Sequence, residues 1–354
     1  MKHFKFYNKE DVLSITKLRK YHSRVGERVQ VIKAGSDDMT AALRQSSARY
    51  VLLGIPEDIG VKANYGVGGA DTAWLPFLHS LLNFESNDFF PADNILLLGH
   101  FDFGDVKFLI ENNALSQEEM IEAYRHALID IDSQVEDMVK SIVGAGKIPI
   151  VIGGGQNNAY PIIKATAKSL HKFDKIPIAQ INAINVSATS GFAAAEGRHS
   201  GNAFRYAGLD GYLGKYCIVG LQETAIPQGE LMDVHGDPFI DFVSYEEIFI
   251  RERRNFIQAI SHATGFTEDN YTGLELNMNA IAMSLSSHAA APGIGFLHAR
   301  QYLSFAAQDS KVAYLHITEG AVQLKDGRRN EFTGQVIATL VADFVKEHQE
   351  IKQN

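Results

Sequence analysis

Short apolar runs recur along this chain, and most of them are followed by a stretch with helical spacing. The runs cover residues 50–55, 94–99, 148–152, 176–181, 216–220, 239–243, 271–277 and 312–317. They are rich in Val, Ile and Leu, and most are bounded by Gly, Pro or Asn. That pattern marks strands covered on both faces. Ser116 with Glu119 three residues on forms a capping box. The helix it opens carries Ile121, Tyr124, Leu128, Ile131, Val135, Met138 and Ile142 along one face and stops at Gly144 and Gly146. A stripe this long also suits a coiled coil, but the strand that follows at once favours a helix laid on a sheet. Helices are also expected over 73–82, 161–170, 245–262, 297–308 and 335–348, with a short one within 11–18. Strands separated by helices imply right-handed crossovers and an α/β fold: a mainly parallel, doubly wound sheet with helices on both faces.

Residues 1–48 are polar and interrupted, and read as an N-terminal extension packed on a single domain spanning 49–354. The chain has 354 residues, 45% of them hydrophobic, enough for a large core. Its net charge of -9 argues against nucleic acid as a partner, which would call for a basic stripe. A single cysteine, Cys217, allows no internal disulfide and suits a reducing compartment. No apolar run reaches the length of a membrane span, and the first ten residues lack the apolar centre of a signal peptide. A cytoplasmic protein with no membrane partner is the expectation.

The strand ends locate the site, because ligands of open α/β sheets bind beyond the carboxyl ends of the strands. Three ends stand out: Val151-Ile-Gly-Gly-Gly-Gln-Asn-Asn158, Gln180-Ile-Asn-Ala-Ile-Asn-Val186 and Leu274-Glu-Leu-Asn-Met-Asn279. The triple glycine is not a dinucleotide fingerprint, since no third glycine follows at the required spacing. The loop over 56–70 carries several glycines after a strand end. It reads either as a ligand-side loop or as a plain surface loop. Cys217 inside an apolar strand reads as a structural thiol. His199 lies in a Gly- and Ser-rich loop with Arg198, Ser200 and Asn202. Ligand contact there stands against the default of a solvated loop histidine.

With these residues in view, the chain resembles the ureohydrolase family of arginases, agmatinases and formimidoylglutamases, and is most similar to the formimidoylglutamase branch. The resemblance runs from about Tyr50 to Val345. It rests on Gly54-Ile-Pro-Glu-Asp-Ile-Gly60, on the triple glycine, on Ala291-Pro-Gly-Ile-Gly295, and on Glu319 after Tyr314-Leu-His-Ile-Thr318. It implies a three-layer α/β/α arginase-like fold, trimers or hexamers, and a pair of manganese ions activating a hydroxide. The ligand positions depart from the family pattern. The family's His after the triple glycine is Gln156. Its Asp-Ala-His-x-Asp is read as Asn182 to Val186, with Ile184 and Val186 at two ligand positions. Its Asp-x-Asp is read as Glu275-Leu276-Asn277. Of these six positions only Glu275 is anionic. Manganese prefers carboxylate, imidazole and water, so no manganese cofactor is expected.

The leading expectation is therefore a pseudoenzyme of this family that binds a small guanidino or amino-acid-like ligand, or serves as a non-catalytic subunit. By resemblance Gln156, Asn182, Asn185, His199, Ser200, Asn202, Glu275, Asn277 and Glu319 line its pocket. The alternative is a formimidoylglutamase-like hydrolase of linear amidine C–N bonds with a rearranged site. There Glu275 or Glu319 would act as base with His199 assisting.

Overall fold

The computed structural model describes residues 2–32, 38–287 and 293–350. Ala291 and Pro292 of the 291–295 turn lie outside the described residues. Among the described residues nine strands form one sheet: β1 (Phe4–Phe6), β2 (Tyr50–Gly54), β3 (Ile95–Phe101), β4 (Ile148–Ile152), β5 (Ile181–Val186), β6 (Leu213–Leu221), β7 (Ile240–Ser244), β8 (Thr272–Asn277) and β9 (Val312–Thr318). Their spatial order is β1-β3-β2-β4-β9-β8-β5-β6-β7. The pairings from β3 to β7 are parallel, while β1 runs antiparallel, on the edge beside β3. An antiparallel edge on an otherwise parallel sheet is common in large α/β folds.

Alternation along the strands divides the core into two layers. Ile150, Ile152, Ile184, Val186, Leu274 and Leu276 face one layer, with the helices Trp74–Leu81, Phe256–Thr267, Phe296–Ala306 and Thr333–Glu350. Val51, Leu53, Val151, Ala183 and Ile218 face the other, with Gln117–Gly144 and Ala159–Lys172. The expected sheet with helices on both faces is present. Ser116 caps the 28-residue helix as its capping signal implied, its side chain accepting from the Glu119 N–H.

Some local readings change. The run over 176–181 is not a strand until its last residue, and β5 extends instead through Asn182 and Asn185 to Val186. Asparagine is a poor strand former, but pairing with both β6 and β8 in the buried centre overrides that preference. The stretch over 245–262 contains two helices, Tyr245–Phe249 and Phe256–Thr267. Between them Glu252 takes a positive φ of 47°, and Asn255 starts the second helix with a reciprocal capping box to Gln258. Helices Gly104–Asn113, Ala203–Leu209 and Gln228–Gly236 were not anticipated. At the N-terminus Phe4–Phe6 joins the sheet, and Val12, Val25 and Val29 are buried in the first core layer.

Candidate functional site

Strands β4, β9, β8 and β5 end side by side: Ile152 pairs with Ile317, Ile317 with Leu276, and Leu276 with Val186. The residues just at and beyond this level make the site. Gln156, in a single 3-10 turn after the triple glycine, is buried. Its Nε2 donates to Asn185 Oδ1 at 3.1 Å, and its Oε1 accepts from Asn277 Nδ2 at 3.2 Å. Asn185 Nδ2 in turn donates to the Tyr216 hydroxyl at 2.8 Å, and Asn277 Oδ1 accepts the Asn279 N–H at 2.9 Å. Asn279 Oδ1 accepts from the Ala188 N–H at 3.2 Å and from Ser187 Oγ at 3.5 Å, while its Nδ2 reaches Thr189 Oγ1 at 3.5 Å. Gln156, Asn185, Ser187, Thr189, Asn277 and Asn279 thus form one neutral network. Both ends of each amide are occupied.

The turn before Gln156 needs its glycines. Gly153 and Gly154 take φ values of 92° and 75°, and a Cβ on Gly154 would lie 2.4 Å from Asn158 Nδ2. Glu57, after β2, fastens this turn. Its buried carboxylate accepts from the N–H groups of Ile59, Gly60 and Gly155 and from the side-chain amides of Asn157 and Asn158. Burial raises its pKa against the pull of those donors.

Glu319 closes the site from the end of β9. Its Oε1 accepts the Gln156 N–H at 3.1 Å, and its Oε2 meets the Ser287 hydroxyl. The residue is 1% exposed and holds a φ of 63°, a sparsely populated conformation for a non-glycine residue. Such strain, kept at a strand end beside a polar cluster, accompanies functional sites.

The other residues expected here take different positions. Asn182 stands at the opposite end of β5, where it bonds the Thr267 carbonyl, Asp269 and the Lys215 N–H. Ile184 and Val186 face the apolar core. Glu275 lies within β8, fully buried. Tyr314 Oη donates to its Oε1 at 2.8 Å, and His316 Nδ1 lies 2.8 Å from its Oε2. Both carboxylate oxygens are thus engaged within the core. His199, Ser200 and Asn202 form a compact, buried turn. Asn202 Oδ1 accepts the His199 N–H, its Nδ2 donates to the carbonyls of Ala194 and Gly197, and the Ser200 N–H donates to Gly60 O. Arg198 ties this turn to Asn157 O. The turn therefore buttresses the Glu57 loop.

Sequence reasoning missed Glu57, Ser187, Thr189 and Asn279. The available signal was the alternation of small polar residues at 185, 187 and 189 and at 277 and 279. Among the described residues no group of three or more His, Cys, Asp or Glu is placed to hold a metal ion, and no helix is long and apolar enough to cross a membrane.

The arginase family model matches residues 48–343. The chain belongs to the arginase family. The formimidoylglutamase of Aromatoleum aromaticum is 23% identical over 248 residues, covering 69% of this chain, and the match spans 65% of that relative's own length. Among solved structures, the formimidoylglutamase of Bacillus subtilis superposes with a TM-score of 0.72 at 14% identity, covering 94% of each chain. Trypanosoma cruzi formiminoglutamase with Mn2+ gives 0.68 at 18% identity, covering 92% of this arginase-family chain and 98% of that one. The expected arginase-like α/β fold is thereby established.

Proposed function

We propose that this arginase-family chain has exchanged the manganese pair of its relatives for a neutral hydrogen-bonded network, and that it acts as a non-hydrolytic binder of a small guanidino or amino-acid-like ligand. The network of Gln156, Asn185, Ser187, Thr189, Asn277 and Asn279 carries the reading. We assign these six to the family's ligand positions. The Asp-Ala-His-x-Asp pattern then falls on Asn185, Ser187 and Thr189, three residues later than the sequence alone suggested. Asp-x-Asp falls on Asn277 and Asn279. In this register every position is an amide or a hydroxyl, and Glu275 drops out of the set.

The donor chemistry supports the reading. Two divalent ions in a buried crevice need anionic ligands to offset their charge. Here the amide ends are satisfied by one another, by the Tyr216 hydroxyl and by the Asn279 N–H, so metal entry would break several buried hydrogen bonds without gaining a carboxylate. Without the ions, water near neutral pH lacks its activating centre. Glu319, buried at the rim of the network, is the anionic contact left for a cationic ligand group.

The test is the metal content of the purified protein after incubation with excess manganese and desalting, together with hydrolysis assays on formimidoylglutamate, agmatine and arginine. The expected result is a folded protein with no retained metal and no hydrolysis, stabilised by arginine-like or glutamate-like ligands. Stoichiometric manganese with turnover would overturn the reading.

A further inference from the structure

The opposite end of the sheet carries a groove of its own. Beside the amino ends of β4, β8 and β9, two concavities of about 550 and about 530 Å³ meet at Arg44, Gly144 and Phe173. Each falls in the size range of small-molecule sites. The helices Gln117–Gly144 and Ala159–Lys172 both end here, and Arg44 comes from the helix Met39–Gln45.

The two lobes differ in lining. The first is mainly apolar. Val143, Leu170, Val312 and Ala313 line it, Tyr271 is half-buried beside them, and Phe173 at the rim is 42% exposed. The Phe173 ring rests on a helix end, since a Cβ on Gly144 would stand 3.5 Å from it. The Arg44 guanidinium lies over the same ring, 5.9 Å from its centroid. The second lobe is basic. Arg44, Lys140, Lys168 and Lys172 line it, together with Asp38. Lys147 and Lys175 add to the first lobe, where no Asp or Glu lines the wall among the described residues.

Part of this charge is neutralised. Glu136 lies 2.6 Å from Lys140, 2.9 Å from Lys168 and 3.1 Å from Lys164, and Lys140 is also 3.7 Å from Asp137. Among the described residues, Arg44, Lys147, Lys172 and Lys175 pair with no carboxylate. Arg44 donates to Gly144 O at 2.8 Å, and Lys147 donates to Ser46 O and Ala48 O, each at 2.6 Å. Those acceptors are neutral, and burial lowers the Lys147 pKa with no anion to offset it. Seven side-chain cations thus face four carboxylates, with Lys164 and Asp174 beside the groove included. The two helix C-termini contribute about one further negative charge between them. An excess of about two positive charges remains, in a chain whose net charge is -9. More cations stand here than the helix ends require.

We infer that this groove binds a small organic phosphate, a phosphate monoester carried on a flat apolar body. The phosphate takes the junction at Arg44, whose guanidinium offers paired donors, with the lysines around it. The body lies along Phe173 into the apolar lobe. The positive excess selects an anion over a neutral ligand, and the exposed ring with its apolar lining selects an organic phosphate over the inorganic ion. The groove stands at the opposite ends of the strands from the amide network and does not rest on the reading given for that site.

Calorimetric titration with phenyl phosphate tests the inference, with inorganic phosphate and benzyl alcohol as its two halves. Phenyl phosphate should bind saturably at one equivalent, and each half at least about tenfold more weakly. Lys172 and Lys175 are exposed, so the double variant Lys172→Glu with Lys175→Glu keeps the fold, and it should weaken phenyl phosphate by about tenfold or more. Phe173→Ser should bring phenyl phosphate down toward the affinity of inorganic phosphate. Absence of saturable phenyl phosphate binding, equal binding of either half, or unchanged affinity in either variant would overturn the assignment.

Discussion

Gln156 Nε2 donates to Asn185 Oδ1 at 3.1 Å across the ends of β4 and β5. This bond joins two residues that neither titrate nor attract metal strongly. Because Asn185 also donates to the Tyr216 hydroxyl, which donates onward to Ser190 O, the network continues down into the core. Its neutrality is therefore a requirement of packing as well as a feature of the site.

Asn185→Asp tests that requirement. The new carboxylate would lie at a fully buried position and would no longer donate to Tyr216. Destabilisation of about 3 kcal/mol or more at neutral pH is expected. Burial would raise the new group's folded pKa above its unfolded value. The cost is therefore paid above the folded pKa and relieved as pH falls below it. Urea unfolding at pH 7 and pH 5 should show the variant closer to wild type at the lower pH. An equal deficit at both would refute the buried-charge account.

The sheet was legible because buried parallel strands are nearly continuous runs of Val, Ile and Leu, as in Ile148–Ile152 and Val312–Thr318. The Gly104–Asn113 helix was not, because none of its residues is buried and no apolar stripe marks it. Gln156 was legible as a site residue through the triple glycine before it. The register proposed above, with Asn185 and Ser187 in place of Asn182 and Ile184, was not legible, because period-2 alternation assigns a side chain to the rim only once the end of the strand is known. That end depends on pairing with β6 and β8, and the β5–β6 register shifts between Ile181 and Ala183. Local sequence carries no mark of that shift.

Glu136 sets a pH dependence of stability. Lys140, Lys164 and Lys168 lie 2.6, 3.1 and 2.9 Å from its carboxylate. Against the upward effect of burial, these partners lower its pKa to about 2. A folded-state pKa below the unfolded value stabilises the protein above the unfolded pKa, and that stability is lost as pH falls toward 2. Glu136→Gln should cost about 1–2 kcal/mol at pH 7, a figure reduced for solvent screening of the lysines. The difference from wild type should shrink between about pH 4.5 and pH 2 in denaturant titrations.

Arg198 anchors the turn that supports the Glu57 loop. Its guanidinium pairs with Asp132, with Nε 2.9 Å from Oδ2, donates to Asn157 O, and lies over the rings of Tyr160 and Tyr206 at 4.4 and 5.1 Å. Lysine has no planar fork to reproduce this set. Arg198→Lys should cost roughly 2–4 kcal/mol in chemical unfolding. Arg198→Met should cost more, because it leaves the Asp132 carboxylate buried without its cation. Adding Asp132→Asn should recover part of that loss. A strictly additive double variant would show that the pair is not coupled.

The buried Glu275 distinguishes anchor from catalyst. Its two oxygens are engaged by Tyr314 and His316, which are themselves fully buried. Removing the carboxylate alone strands two polar partners in the core. Glu275→Ala should therefore lower stability by about 3–5 kcal/mol. Replacing the cluster together, as Glu275→Leu with Tyr314→Phe and His316→Leu, removes the stranded groups along with their acceptor. It should recover most of that loss, since a packed apolar core often matches a buried polar cluster. A general base would behave differently. Its loss would abolish turnover while costing little stability, and the triple variant would restore nothing. Parallel measurement of unfolding free energy and amidine hydrolysis in the single and triple variants separates the two roles, and the anchor role predicts changes in stability alone.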